Sequence, residues 1–351
     1  MNAIVWSIRF CAPMLAALSI AGCATPNGSA VPGGAAYASS RSIRPDRRTV
    51  SLYDDPYEFT SPDDITAGPD GALWFTSAPH GIGRITTGGV YTMTINPGLN
   101  IYIENGITVG PDRNIWFTAS QFSPNLALIG RVTTGGTVTF FTDTGGYFPE
   151  RITSGPDNDL WFTEANGTVG RLTTNGRRIR HFTVGPSNAV LGGIVTGPDG
   201  NLWVTAFEAG SGFGNKVYRL TPQGGVTSYT VGSGPDSICV GPDNALWFTE
   251  YRANAIGRIT LAGKLTQFPT GQPYGEPSGI VTGPDNALWF TDFAGRFGIG
   301  RIRRDGKMTF TRVPHRRRFP PELNDIIVGP DNAMWFTSEI DPSAVGRMSP
   351  N

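Results

Sequence analysis

In a chain of 351 residues, 47 glycines and 28 prolines interrupt helices too often for a helical bundle or an α/β sheet enzyme. With 39% hydrophobic and 11% aromatic residues it is still apolar enough to build a core, which excludes a disordered polymer and leaves an all-β protein of short strands and turns. Basic and acidic residues both number 28, so no net charge draws the chain to nucleic acid or to a membrane surface.

Residues 1–22 read as a lipoprotein signal peptide. Arg9 supplies the positive charge, and the apolar run from Phe10 to Ile20 is too short for a hydrocarbon core of roughly 30 Å. The run ends in Ile20-Ala21-Gly22-Cys23, which resembles a bacterial lipobox. That similarity implies cleavage before Cys23, lipidation of its thiol, and a protein exported and anchored to the envelope, on the periplasmic side or at the outer membrane. Residues 23–46 list Thr, Pro, Asn, Gly, Ser, Ala and Arg without periodicity and read as a flexible tether. With Cys11 in the signal and Cys23 lipidated, Cys239 is the one free thiol expected, so no intramolecular disulfide forms. It reads as a small buried hydrophobe in the first strand of its unit.

From Arg47 onward one phrase recurs, first as Gly68-Pro69-Asp70-Gly71-Ala72-Leu73-Trp74-Phe75-Thr76. Its tryptophans are Trp74, Trp116, Trp161, Trp203, Trp247, Trp289 and Trp335, with gaps of 42, 45, 42, 44, 42 and 46 residues. A second phrase follows each copy, as in Ile82-Gly83-Arg84-Ile85-Thr86. Repeats of this length match the four-stranded blades of a propeller. Within a unit, strand a precedes a tight Gly-Pro-Asp turn, strand b carries Leu-Trp-Phe-Thr, strand c carries Ile-Gly-Arg-Ile, and a Gly-rich turn leads to strand d. The last unit lacks strand d, and the segment Thr49 to Tyr53 is expected to supply it. The predicted fold is all-β: a seven-bladed propeller over residues 47–351, four antiparallel strands per blade, closed by an N-terminal strand. The tryptophans, present in every unit, are expected to pack between blades, and the strand-c arginines to pair with turn carboxylates or stack on aromatic rings.

The pairing of Gly-Pro-Asp-Gly-Ala-Leu-Trp-Phe-Thr with Ile-Gly-Arg-Ile-Thr resembles the virginiamycin B lyase family across the whole region after the tether. The resemblance implies a propeller that opens a cyclic streptogramin B antibiotic by elimination at its ester, with a histidine base beside carboxylate-bound Mg²⁺. It further implies that carboxylate and histidine follow Trp-Phe-Thr as Glu-x-His, with another carboxylate late in strand d. Glu164, Glu250 and Asp292 match the first carboxylate, and Asn166, Arg252 and Ala294 stand where the histidine is implied. The late strand-d position reads His181 in the third unit and Gln267 in the fifth. The family's catalytic histidine is therefore expected to be missing, and His80, His181 and His315 read as solvated surface residues.

The residues that break the repeat mark the candidate site. Glu164, Asn166, Glu208, Glu250, Tyr251, Arg252 and Asp292 are placed on the face bearing the b–c and d–a connections. Among them Glu164, Glu250 and Asp292 are the candidates to hold Mg²⁺ or Ca²⁺ through oxygen, a cofactor the sequence does not require. Arg316, Arg317 and Arg318 form a basic run suited to an anion. The expected function is binding of a small molecule, glycan or envelope protein by a monomer on this face, with no nucleic-acid partner. The alternative is a Mg²⁺-assisted carbon–oxygen lyase or lactone-opening enzyme.

Overall fold

A computed structural model describes residues 40–43, 49–54, 56 and 61–350, except 79–80, 97, 99, 123, 144–146, 178, 209–214, 295–297, 315–321 and 340–342. The signal segment, Cys23, His80, His315, Arg316, Arg317 and Arg318 lie outside the described residues, as does the side chain of Glu208.

Seven antiparallel sheets form, one per repeat. Blade 3 is representative, with strand a at Pro149–Ser154, b at Leu160–Glu164, c at Thr168–Leu172 and d at Ile179–Thr183, paired in that order. Blade 7 combines Leu323–Val328, Met334–Ser338 and Ala344–Met348 from the C-terminal end with Val50–Asp54 from the N-terminal end. Its register runs Val50 to Met348 through Asp54 to Ala344, so the N-terminal strand closes the ring as expected. A fifth strand, Ser40–Ile43, pairs on the outside of Val50–Asp54 and lies within the segment read from sequence as tether. It covers an edge that would otherwise present unpaired backbone groups.

The Gly-Pro-Asp phrase does three jobs at once, seen in blade 5. Gly241 N donates to Ala245 O at 2.8 Å, and Asn244 sits at φ 56°, the left-handed region that Asn and Gly tolerate. Asp243 Oδ1 accepts from Trp247 Nε1 at 3.0 Å, while its Oδ2 accepts from Arg258 Nε at 2.7 Å. The Arg258 guanidinium lies 5.8 Å from the centre of the Trp247 ring. Gly257 of strand c must lack a side chain, because a Cβ there would fall 2.2 Å from the Phe248 ring. The same aspartate–tryptophan–arginine arrangement recurs as Asp70–Trp74–Arg84, Asp285–Trp289–Arg301 and Asp331–Trp335–Arg347.

The core sits in the seams between blades. All seven tryptophans are fully buried, as the repeat implied. One cluster joins Trp161 and Val169 of blade 3 to Leu191, Leu202 and Leu220 of blade 4. Another joins Ile65 and Phe75 of blade 1 to Trp335 and Val345 of blade 7, sealing the ring. The aromatic of strand d stacks on the same tryptophan, as with Phe182 on Trp161 at 5.2 Å and Tyr53 on Trp335 at 5.6 Å. Truncating such a tryptophan costs about 3–5 kcal/mol. Among the described residues no helix is long and apolar enough to cross a membrane.

Candidate functional site

Strand b delivers its last residue to the face bearing the b–c and d–a connections, and three of the seven positions hold carboxylates there. In each case one oxygen turns back into its own blade to hold the d–a loop. Glu164 Oε1 accepts from Tyr147 N at 3.1 Å, Glu250 Oε1 from Gly232 N at 2.7 Å, and Asp292 Oδ1 from Glu276 N at 2.7 Å. Glu250 Oε2 takes a further bond from Gln267 Nε2 at 2.5 Å. All three side chains are buried, and burial raises the carboxyl pKa of Glu164 and of Glu250 above its ordinary value. Glu250 spends both oxygens on bonds within its own blade, and among the described residues the one cluster of ligand-capable side chains includes neither Glu250 nor Asp292.

Blade 3 differs from blade 5 at the residue that meets this carboxylate. His181 stands opposite Gly170 in the register, as Gln267 stands opposite Gly257. Its Nδ1 lies 2.9 Å from Glu164 Oε2, which also accepts from Thr168 Oγ1 at 2.8 Å. Its Nε2 lies 3.1 Å from Asp143 Oδ1, at the end of strand d of blade 2 (Val138–Asp143). His181 lies at the surface, as expected, but both of its ring nitrogens face carboxylates. It is 29% exposed and clamped between two side-chain carboxylates that are 0% and 2% exposed. Burial opposes its protonation, but the hydrogen bond and charge of Glu164, followed by Asp143, outweigh it and raise the pKa above the ordinary histidine value. Among the described residues this is the one group of three His, Cys, Asp or Glu whose ligand-capable atoms lie within 4.8 Å of one another, which makes it a candidate metal site.

The remaining candidates serve nearby. Asn166 sits at φ 81° in the b–c turn with its side-chain amide 2.8 Å from Thr168 Oγ1, beside the Glu164 network. Arg252 Nε donates to the Tyr251 hydroxyl at 2.8 Å and lies 5.4 Å from its ring, while Tyr251 packs over Gly234. The backbone of Glu208 ends strand b of blade 4, paired with Ala189. The structure thus gathers Glu164 and Asn166 with Asp143 and His181, pairs Tyr251 with Arg252, and leaves Glu250 and Asp292 in their own blades. Asp143 was missed because nothing local distinguishes it. Its signal lies in the repeat, where the equivalent buried positions hold the uncharged Val184, Val231, Thr270 and Val313.

A second polar group surrounds the ring axis, where the first strands line a cavity of about 180 Å³. Each strand a breaks register just before a conserved-pattern isoleucine, as between Pro149 and Ile152, and the bulge turns polar residues toward the axis. Arg151 Nη1 donates to Asn105 O at 2.7 Å and lies 3.3 Å from Asp64 Oδ2. Asp64 accepts from Ile107 N and Asp325 from Ile65 N, so blades 7, 1, 2 and 3 are tied across the closure. Burial and then the charge of Asp64 push the Asp325 carboxyl well above the usual carboxylate range. Cys239 in strand a of blade 5 is a free thiol packed against the Trp247 cluster, and burial pushes its pKa up to about 12, so it is no nucleophile.

Seven antiparallel blades closed into a ring, with a tryptophan in every seam, define a seven-bladed β-propeller. The model of the virginiamycin B lyase family matches residues 41–212 and 177–351, and the chain belongs to that family. A virginiamycin B lyase from Nocardia farcinica is 31% identical over 209 residues, covering 58% of this chain and 68% of that protein. The structure of virginiamycin B lyase from Staphylococcus aureus is 29% identical with a TM-score of 0.76, covering 87% of this chain and 100% of that one. A streptogramin B lyase structure is 26% identical with a TM-score of 0.75, covering 87% and 98%.

Proposed function

We propose that this propeller binds a small molecule, glycan or envelope protein on its connection-bearing face and does not open streptogramin rings. The observation that carries this reading is the state of His181, the single histidine among the described residues, whose two ring nitrogens both face carboxylates at 2.9 and 3.1 Å. A general base needs an open nitrogen within reach of the proton it removes. An imidazole held between two anions has none to offer. Glu250 and Asp292 likewise fix loops, which supports a rigid binding surface. In this reading the protein works as a monomer outside the cytoplasm, held to the envelope through lipidated Cys23, and takes no nucleic acid.

A test places a photo-crosslinking residue at Asn166, on the connection-bearing face, and another at Asn286, in a Gly-Pro-Asp turn of the opposite face. Illumination of cells should yield discrete adducts from position 166 and none from 286. Equal adducts from both, or none from 166, overturn the reading. Kinship with proteins named virginiamycin B lyase favours one alternative, a metal-assisted carbon–oxygen lyase or lactone-opening enzyme. That alternative makes the opposite prediction for an antibiotic substrate.

A further inference from the structure

Two departures from the repeat converge on one point. At the strand-d position equivalent to Val184 of blade 3, blades 4 and 6 bury Val231 and Val313 and blade 5 buries the neutral Thr270, whereas blade 2 buries the carboxylate of Asp143. At the position facing the strand-c glycine, blade 2 has Phe140, blade 5 Gln267 and blade 6 Phe310, whereas blade 3 has His181. Packing is satisfied by valine or threonine at the first place and by phenylalanine or glutamine at the second, as those blades demonstrate. A carboxylate at the first place and an imidazole at the second, meeting across one seam with Glu164, ask for another explanation. Burying two carboxylates against one imidazole leaves an excess negative charge in a low-dielectric seam, which a divalent cation offsets better than a proton.

We propose that Glu164 Oε2 and His181 Nδ1 hold one divalent first-row transition metal ion of the zinc class at the seam between blades 2 and 3, with Asp143 orienting the imidazole through Nε2. The donor set selects the ion: an imidazole suits Zn²⁺ and its neighbours, while Mg²⁺ and Ca²⁺ prefer oxygen throughout. The ion takes the place of a proton on one imidazole nitrogen and releases that proton, while the carboxylate on the other nitrogen orients the ring. Glu164 is aimed in advance, because Tyr147 N holds its Oε1 and leaves Oε2 toward the site. The imidazole edge, 29% exposed, is the route of entry. The site stands whether or not the face binds the ligand proposed above.

The test titrates the full chain, stripped with EDTA, with ZnCl₂ and MgCl₂ by calorimetry. It should take up one Zn²⁺, bound at least about 100-fold more tightly than Mg²⁺. Two variants borrow side chains from other blades to keep the packing: Asp143→Val and His181→Gln. Each should weaken Zn²⁺ binding about 10–100-fold or more, within the range for loss of a ligand or its orienting partner. Circular dichroism confirms the fold of each. Should either variant fail to fold, Co²⁺ added to the unaltered chain supplies the second readout, with visible bands of an imidazole-bound ion expected. Zn²⁺ uptake undiminished in both variants, uptake no tighter than that of Mg²⁺, or featureless Co²⁺ spectra would each overturn the proposal.

Discussion

Replacing His181 by alanine isolates the balance of charge in the blade 2–3 seam. The substitution removes a group that both Glu164 and Asp143 face, and their side chains are 0% and 2% exposed. Removing one partner from a buried ionic pair costs about 3–5 kcal/mol. The imidazole is 29% exposed, so water enters part of the space it vacates, and the expected loss falls to about 2–4 kcal/mol. His181→Gln should cost only about 1 kcal/mol, the net worth of one hydrogen bond, because Gln267 makes the same bond to Glu250 in blade 5. Urea unfolding at pH 7 with EDTA present, followed by tryptophan fluorescence, measures both. A loss below about 1 kcal/mol for His181→Ala, or equal losses for the two variants, refutes the electrostatic account of this seam.

Asp243→Ala should destabilise by about 2–4 kcal/mol, since the buried Trp247 Nε1 and the Arg258 guanidinium lose their acceptor together; denaturant midpoints check it. Asp70, Asp199, Asp243, Asp285 and Asp331 all have carboxyl pKa values held below the ordinary value; burial opposes this but is outweighed by hydrogen bonds to tryptophan, arginine and backbone or asparagine groups. Their contribution is present above the unfolded carboxylate pKa and lost as pH falls through the folded values, so the thermal midpoint should drop steeply below pH 4. Asp325 has the opposite sign: its raised pKa gives stability that is full at low pH and lost as pH rises, so Asp325→Asn should match or exceed the parent's thermal midpoint at pH 8. Cys23→Ser should move the protein from the membrane fraction to the soluble one, read by fractionation and by metabolic labelling with a fatty acid.

The fold was legible because a propeller writes its seam chemistry once per blade. Trp247, Asp243 and Arg258 each recur at a fixed offset, and the ring's closing strand was visible as the strand d that the last unit lacks. The outer strand Ser40–Ile43 was not visible, since it lies in polar, aperiodic sequence outside the repeats; it pairs in register with Val50–Tyr53. The site was half legible. Glu164 stood out at the end of Trp-Phe-Thr, and His181 was noticed at the late strand-d position. Its partner Asp143 comes from the neighbouring blade, 38 residues before His181, and no local pattern joins them. Glu250 and Asp292 show a second role that the sequence did not reveal. A carboxylate at a strand end reads as a ligand, and only three-dimensional register reveals that it caps its own d–a loop.

The reading of this chain as a binding member of a lyase family meets its most direct test in one incubation. The chain, and in parallel the Staphylococcus aureus virginiamycin B lyase, would each be mixed with a streptogramin B antibiotic and Mg²⁺ and followed by chromatography. Elimination opens the ring without adding water, so a product would have the mass of the substrate and a different retention time. The account predicts that the relative converts the antibiotic while this chain leaves it intact. Appearance of the isomeric product with this chain would contradict it.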